Sequence, residues 1–433
     1  MEDLLAARLQ MALSLGFHII FAVIGMAMPF LMATAHWFWL RTKDPEYFAL
    51  TKAWSKGVAI FFATGAVSGT ALSFELGLLW PQFMEHAGPI IGMPFSWEGT
   101  AFFIEAIAIG LFIYGWDRVP PYLHWFCGVV VGVSGLASGV FVICANAWMN
   151  SPTGFDWVAG QALNIDPWRA MFNDRFLNMG IHMLIAAFQA TGFGVAGIHA
   201  FRILRGQKKS LHMKAMKISI VWGAVAALIQ PLSGDILAKE TAELQPIKLA
   251  AMEAHFETEK GAGLLIGGIP DEDTGKVKYG LKLPKLLSFL AFADFDAEVK
   301  GLNDFPRDEW PPVLLTHLSF QVMVGLGTIM ALTGLLTLFM IWRRRSWFSH
   351  PRYLKGLMLL TPAGFIAVEA GWCVTELGRQ PWIIYGIMKT KDALTPMPGL
   401  WVPFTMFAGV YLLLSVILVW LMVRQIRGLE QAP

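Results

Sequence analysis

IAVEAGWCVTELGRQPW, residues 366–382, is the stretch whose reading decides what kind of protein this is. It begins as an apolar segment suited to a membrane, yet it carries two carboxylates, Glu369 and Glu376. Seven residues span about two helical turns, so both acids project from nearly the same face. Gly378 then offers a helix stop, followed by Arg379, Gln380, Pro381 and Trp382. An acid at a bilayer centre costs roughly 2.5–3.5 kcal/mol even on the lenient insertion scale, so two on one face imply a task.

The rest of the chain has the same character. Of 433 residues, 56% are hydrophobic and 15% charged, and the mean hydropathy is +0.54. That excludes a soluble globular domain and predicts an all-α polytopic membrane protein. Runs of about 20 apolar residues give nine candidate spans, at 11–35, 54–80, 97–115, 122–147, 178–201, 214–234, 312–341, 354–376 and 402–423. The chain accordingly divides into a membrane block at 1–234, a long extracytoplasmic loop at 235–311 and a second membrane block at 312–433. The opening residues lack the basic character of a signal peptide and the run after them is too long for one, so they read as a retained first helix.

Orientation follows from lysine and arginine in the short loops. Arg41, Lys43 and Lys52 follow span one, and Arg202, Arg205, Lys208, Lys209 and Lys214 follow span five. Arg343, Arg344, Arg345 and Arg352 follow span seven, whereas 81–96, read as the loop after span two, has none. The N-terminus is therefore expected outside, and the C-terminus, with Arg424 and Arg427, inside. Net charge is +2 with no basic tract, so no nucleic-acid partner is expected. Cys127, Cys144 and Cys373 all lie in apolar segments and no C-x-x-C-H occurs, which excludes covalent haem attachment, iron–sulfur clusters and structural zinc.

Several polar residues inside the spans need a reason. His18, mid-span in LSLGFHIIFAVIG, is either an axial haem ligand or a packing or proton-relay histidine. His182 lies in span five and Met323 in span seven. Methionine is usually core filler, but His with Met is also an axial pair for a six-coordinate, low-spin haem. Glu98 and Glu105 in WEGTAFFIEA repeat the seven-residue spacing. Two such pairs read as a proton path or cation ligands, against a structural hydrogen-bonded network. Glu75, Ser138 and Asn146 either line such a path or hold helices together. In LQPIKLAAMEAHFE, Lys248 and Glu253 are either solvated charges or the base and hydrogen-bond partner of an amphipathic substrate. A secondary transporter explains the acids but not His18, His182 and Met323 with so many aromatics, and it favours internal repeats that are not seen. A haem-based membrane sensor keeps the haems and needs no proton path.

Taken together, RLQMALSLGFHIIF, WEGTAFFIEA with GLFIYGWDR, ANAWMNSP, KLAAMEAHFET, FQVMVG and EAGWCVTELGRQPW closely resemble the large haem-bearing subunit of cytochrome bd-type quinol oxidases, short Q-loop type. The resemblance runs along nearly the whole chain, and the GRQPW element is its most specific part. It implies a quinol:oxygen oxidoreductase of the bacterial or archaeal cytoplasmic membrane that takes ubiquinol or menaquinol and reduces O2 to water without proton pumping. By the same resemblance, His182 and Met323 are axial ligands of a low-spin haem b. His18 and Glu376 are ligands of a high-spin haem b and of the oxygen-reducing haem, which is haem d or a further haem b. Glu98 stands beside the oxygen-reducing centre, Glu105 and Ser138 on a proton path, and Asn146, Trp372, Arg379 and Arg8 around the haems and their propionates. Lys248 and Glu253 match quinol-binding positions. A second membrane subunit, and small single-helix accessory subunits, are the implied partners. One departure is Gln321, where the family often has arginine. A missing cation favours the oxidised haem, so a lower potential is expected than in arginine-bearing relatives.

Overall fold

The computed structural model describes residues 2–158, 160–207 and 209–431. Lys208 lies outside them, as does the side chain of Arg345. Among the described residues, nine helical segments are long and apolar enough to cross a membrane. They are α1 (Glu2–Thr42), α2 (Pro45–Leu79), α3 (Pro81–Tyr114), α4 (Pro121–Asn150), α6 (Phe176–Leu204), α7 (Lys209–Leu244), α10 (Val313–Arg343), the pair α11 (Pro351–Leu359) and α12 (Ala363–Leu377), and α13 (Trp401–Gln431). Three short helices lie between spans: α5 (Pro167–Met171), α8 (Pro246–Met252) and α9 (Leu286–Phe292).

The chain marks its helix starts with proline. α2, α3, α4, α5, α8 and α11 each carry one in the first turn, where the missing N–H is not needed and the fixed φ suits the helix. Asp44 and Asp166 add side-chain caps, accepting from Glu46 N and from Trp168 N and Arg169 N. Thr361 and Pro362 interrupt the eighth span between α11 and α12.

Helices α1–α4 form one packed group and α6, α7, α10 and α12 another, with α1 against α6 joining them. Gly192 of α6 meets Gly223 of α7 so closely that a Cβ on Gly192 would lie 2.5 Å from the Gly223 Cα. Backbone-to-backbone contact of this kind is how membrane helices pack without a hydrophobic driving force. α13 rests on α1 and α2 and leaves Val402, Leu412, Leu413, Val416 and Val419 exposed, a face fit for lipid.

Both ends of the bundle are tied. At one end Lys214 pairs with Asp44 and Glu46, and Gln425 Nε2 donates to Ala53 O at 3.0 Å. This gathers the α1–α2 turn, the α6–α7 turn and the end of α13, which carry most of the loop cations. At the other end Leu400 N donates to Asp3 Oδ1 at 2.9 Å and Thr395 N to Leu79 O at 3.0 Å.

Two stretches differ from the sequence reading. Residues 81–96, expected as a loop, are the first half of α3, with Pro89 and Pro94 inside the helix. Gly and Pro read as breakers in water, but in a membrane bundle neighbouring helices and side chains satisfy the backbone groups they free. Helix α7 continues to Leu244, ten residues beyond the expected end of the sixth span. Beyond it the segment forms α8, α9 and three small antiparallel pairings, 259–260 with 298–299, 264–266 with 281–283, and 269–271 with 276–278.

Candidate haem and quinol site

The geometry starts at His182, on α6. Its Nδ1 lies 2.9 Å from Ser233 Oγ on α7, and that hydroxyl donates to Gln230 O at 2.9 Å. A hydroxyl has one proton. Since the carbonyl takes it, the oxygen accepts from Nδ1–H, and Nε2 keeps the lone pair that a metal needs. The Gln230 amide nitrogen, 3.1 Å from Nε2, fits the same tautomer. His18 repeats the device: its Nδ1 is 2.9 Å from Ser68 Oγ, which donates to Thr64 O at 3.0 Å. Gly69 lets that ring approach, because a Cβ there would be 2.9 Å from His18 Cε1.

His182 opens into a cavity of about 960 Å³, ample for a flat tetrapyrrole. Met323 of α10 lines the same cavity, so the structure joins two residues that sequence could not pair. Gly371 makes room for the thioether, since a Cβ there would lie 3.0 Å from Met323 Sδ. Asn146, Arg175, Lys248, Glu253, Gln321 and Trp372 supply other parts of the lining. Apolar walls and a histidine whose Nε2 lone pair is covered only by the Gln230 amide, at 3.1 Å, fit a haem once that side chain turns aside.

Lys248 and Glu253 are not solvated charges. They sit on and just after α8, 5% and 4% exposed. Lys248 Nζ donates to Asn150 Oδ1 and to Thr375 O, both at 3.1 Å. Gly378 admits its stem, because a Cβ there would lie 2.9 Å from Lys248 Cε. Burial, reinforced by Arg175 and Arg379, holds the Lys248 ammonium well below its usual range. Burial also pushes the Glu253 carboxyl up to about 8, and its Oε2 has no partner among the described residues.

Glu376 accepts from Asn146 Nδ2 and from Arg379 Nη2, both at 2.6 Å. Asn150 Nδ2 donates to Asn146 O at 2.9 Å, so a polar chain runs from Lys248 through Asn150 and Asn146 to Glu376. A carboxylate has further lone pairs, so an oriented Glu376 still fits a metal ligand. Glu369 looks elsewhere, toward α1, where a Cβ on Gly16 would be 3.3 Å from its Oε2.

The remaining expected residues form separate groups. The Ser138 hydroxyl faces Glu98. Glu105 is buried on the α3 face toward α4, 3.6 Å from where a Cβ on Gly135 would stand. Glu75 belongs to neither: fully buried on α2, it faces Gln10 and Ser14 of α1. Arg8 is exposed on α1 and does not line the cavity. Arg175, which sequence reasoning missed, does line it. A lone cation just before span five was its only signal.

The family model described as "Cytochrome bd terminal oxidase subunit I" matches residues 6–429. The chain belongs to that family. It is 36% identical to the "Putative cytochrome bd menaquinol oxidase subunit I" of Bacillus subtilis, over 99% of this chain and 97% of that one. A second B. subtilis protein, "Cytochrome bd ubiquinol oxidase subunit 1", is 32% identical over 99% of this chain and 94% of that one. A chain from the solved bd oxidase of Geobacillus thermodenitrificans superposes with a TM-score of 0.93 at 37% identity, covering 98% of both chains. A cytochrome bd subunit I is a haem-bearing membrane oxidase subunit that works beside a subunit II, and this sets the transporter reading aside.

Replacing Ser233 by alanine removes the acceptor that fixes the His182 tautomer. It is expected to lower haem retention at this site about 10–100-fold, as other losses of a ligand's orienting partner do. The measurement is the low-spin haem absorbance per protein in the purified complex; full occupancy contradicts the tautomer assignment.

Proposed function

We infer that this quinol oxidase subunit oxidises its quinol at Lys248 and Glu253, beside a low-spin haem b held by His182 and Met323. The observation that carries the reading is one cavity lined by all four residues. Haem bound here supplies the one-electron chemistry that amino-acid side chains lack. The chain's own residues do the rest. Lys248, anchored to Asn150 and Thr375, offers a donor to a quinone oxygen, and Glu253, buried with a free oxygen, takes a quinol proton. His18 and Glu376 are the ligands proposed for two further haems, a high-spin haem b and a haem d or third haem b, with Trp372 and Arg379 beside them. Asn146 and Arg379 keep the Glu376 carboxylate aimed. Glu98, Ser138 and Glu105, on neighbouring faces of α3 and α4, carry protons from the inside to the oxygen-reducing site.

Reducing one O2 to water takes four electrons and four protons, supplied by two quinols. With quinol protons released outside and water-forming protons drawn from inside, turnover generates a membrane potential without pumping. This requires the N-terminus outside and the C-terminus inside, as the cationic end of the bundle supports. Ubiquinol or menaquinol is the substrate, and small single-helix subunits join subunit II in the complex.

Glu253 yields the pH test. Burial pushes its carboxyl up to about 8, so its base form grows as pH rises through that value and the quinol oxidation rate is expected to rise with it. Glu253→Gln is expected to lose the rise and at least about a hundredfold of the rate, the usual contribution of a general base. A steady-state pH profile of the purified oxidase checks it; an unchanged profile in the variant contradicts the role.

A further inference from the structure

Arg175 stands immediately before α6, two turns ahead of His182, and is 3% exposed. Its Nη1 donates to Gln245 Oε1 at 2.9 Å and its Nη2 to Thr241 Oγ1 at 2.7 Å. Both acceptors are neutral. Its Nε has no partner, and its hydrogen bonds among the described residues go to these two neutral groups rather than to a carboxylate. Glu240 attracts it from beyond ion-pair distance, and the carboxylate of Glu376 is engaged by Arg379 and Asn146.

A guanidinium buried with an unused donor and no contacting anion is costly, and such groups are retained where an anion completes them. The side chain lines the cavity shared by His182, Met323 and Lys248; Glu240, whose Oε2 is itself unpaired, stays out of contact, so an anion seated in the cavity is what can reach the free donor. Quinol is neutral and cannot serve. Gln321, at a position where the resemblance leads one to expect a cation, is uncharged and held at both ends: its Oε1 accepts from Gly267 N at 2.9 Å and its Nε2 donates to Leu265 O at 3.0 Å. It pins the loop to α10 and leaves the cavity's positive charge to Arg175 and Lys248.

We propose that Arg175 binds a propionate carboxylate of the haem held by His182 and Met323, taking the charge-balancing place that Gln321 leaves empty. The proposal rests on the haem reading of that cavity. Its fork is already fixed by Thr241 and Gln245 through one N–H on each Nη, so Nε–H, on the one nitrogen with no partner, is held in place without further ordering. A cation beside a propionate favours the reduced haem. Arg175 thereby offsets the lower potential that Gln321 alone implies.

The experiment uses the purified complex with three variants, Arg175→Gln, Arg175→Lys and His182→Ala, read by potentiometric titration of the low-spin haem and by redox-difference infrared spectra with the haem propionates labelled with carbon-13. Arg175→Gln is expected to keep the low-spin absorbance while shifting its oxidation equilibrium at least about tenfold toward the oxidised form, or 59 mV for one electron. Arg175→Lys is expected to stay within about threefold of the parent but to move the labelled propionate bands, because one ammonium replaces the guanidinium. An unchanged potential in Arg175→Gln, or unmoved propionate bands in Arg175→Lys if only that variant assembles, overturns the proposal and leaves Arg175 as a brace between α6 and α7. His182→Ala separates the two levels of the argument. If it keeps the low-spin band, the haem reading of the cavity fails and the proposal falls with it; if it loses the band, the Arg175 variants decide alone.

Discussion

Substituting alanine for His182 is expected to remove the low-spin haem from the complex and to abolish quinol-dependent oxygen uptake, while the spectra of the other haems persist. The selectivity follows from the structure. His182 is held by Ser233 on α7 and faces a cavity closed by Met323 of α10, whereas His18 is held by Ser68 on α2 and Glu376 by Asn146 and Arg379. The three candidate ligand sets rest on different helices, so losing one need not dismantle the others. Met323→Leu gives a graded version: it fills the same volume without the sulfur, and the haem is expected to stay but to lose its sixth ligand and turn high-spin. Absorbance and electron paramagnetic resonance of both variants check this. An unchanged low-spin signal in either contradicts the pairing of His182 with Met323.

The second large effect concerns Glu376. The Arg379 side chain is 2% exposed and Glu376 is its ion-pair partner at 2.6 Å. Glu376→Ala leaves that guanidinium buried without its carboxylate, at a cost of about 3 kcal/mol, near the low end for a broken buried pair because Glu376 keeps some exposure. It also removes a proposed haem ligand. The variant is therefore expected both to lose a haem and to melt earlier in detergent. Glu376→Gln, which keeps the shape and an acceptor but not the charge, is expected to recover part of the stability and little of the haem. If Glu376→Ala keeps its full haem complement, Glu376 is only the counter-ion of Arg379.

Much of this was legible in the sequence because a bilayer is an unforgiving solvent. Apolar length alone located nine spans, and acids or histidines within them stood out because they are expensive. His182 was visible as a misfit, whereas Met323, an ordinary residue in an apolar helix, was paired with it only through the family resemblance. Only the packing of α6, α7, α10 and α12 brings the two to one cavity. Lys248 and Glu253 read from their spacing alone as solvated charges sooner than as substrate partners, and it took their burial to exclude solvent. Glu75 read either as lining the same path as Glu98 or as holding helices together, yet it faces Gln10 and Ser14 of α1 whereas Glu98 faces Ser138 of α4, because helix spacing says nothing about which neighbour a face meets. Arg175 and Gln321 were hardest to read. One is a cation at a span boundary, where cations are common, and the other a neutral residue whose loop bonds to Leu265 and Gly267 appear only in three dimensions.

The central claim is that the cavity between His182 and Met323 holds a haem next to the quinol-oxidising residues. A density map of the purified complex, with iron located by its anomalous signal or by electron microscopy, tests it most directly. One iron bound by His182 Nε2 and Met323 Sδ is expected, with further irons at His18 and Glu376. A cavity filled by lipid or quinone, with no iron between His182 and Met323, would contradict it.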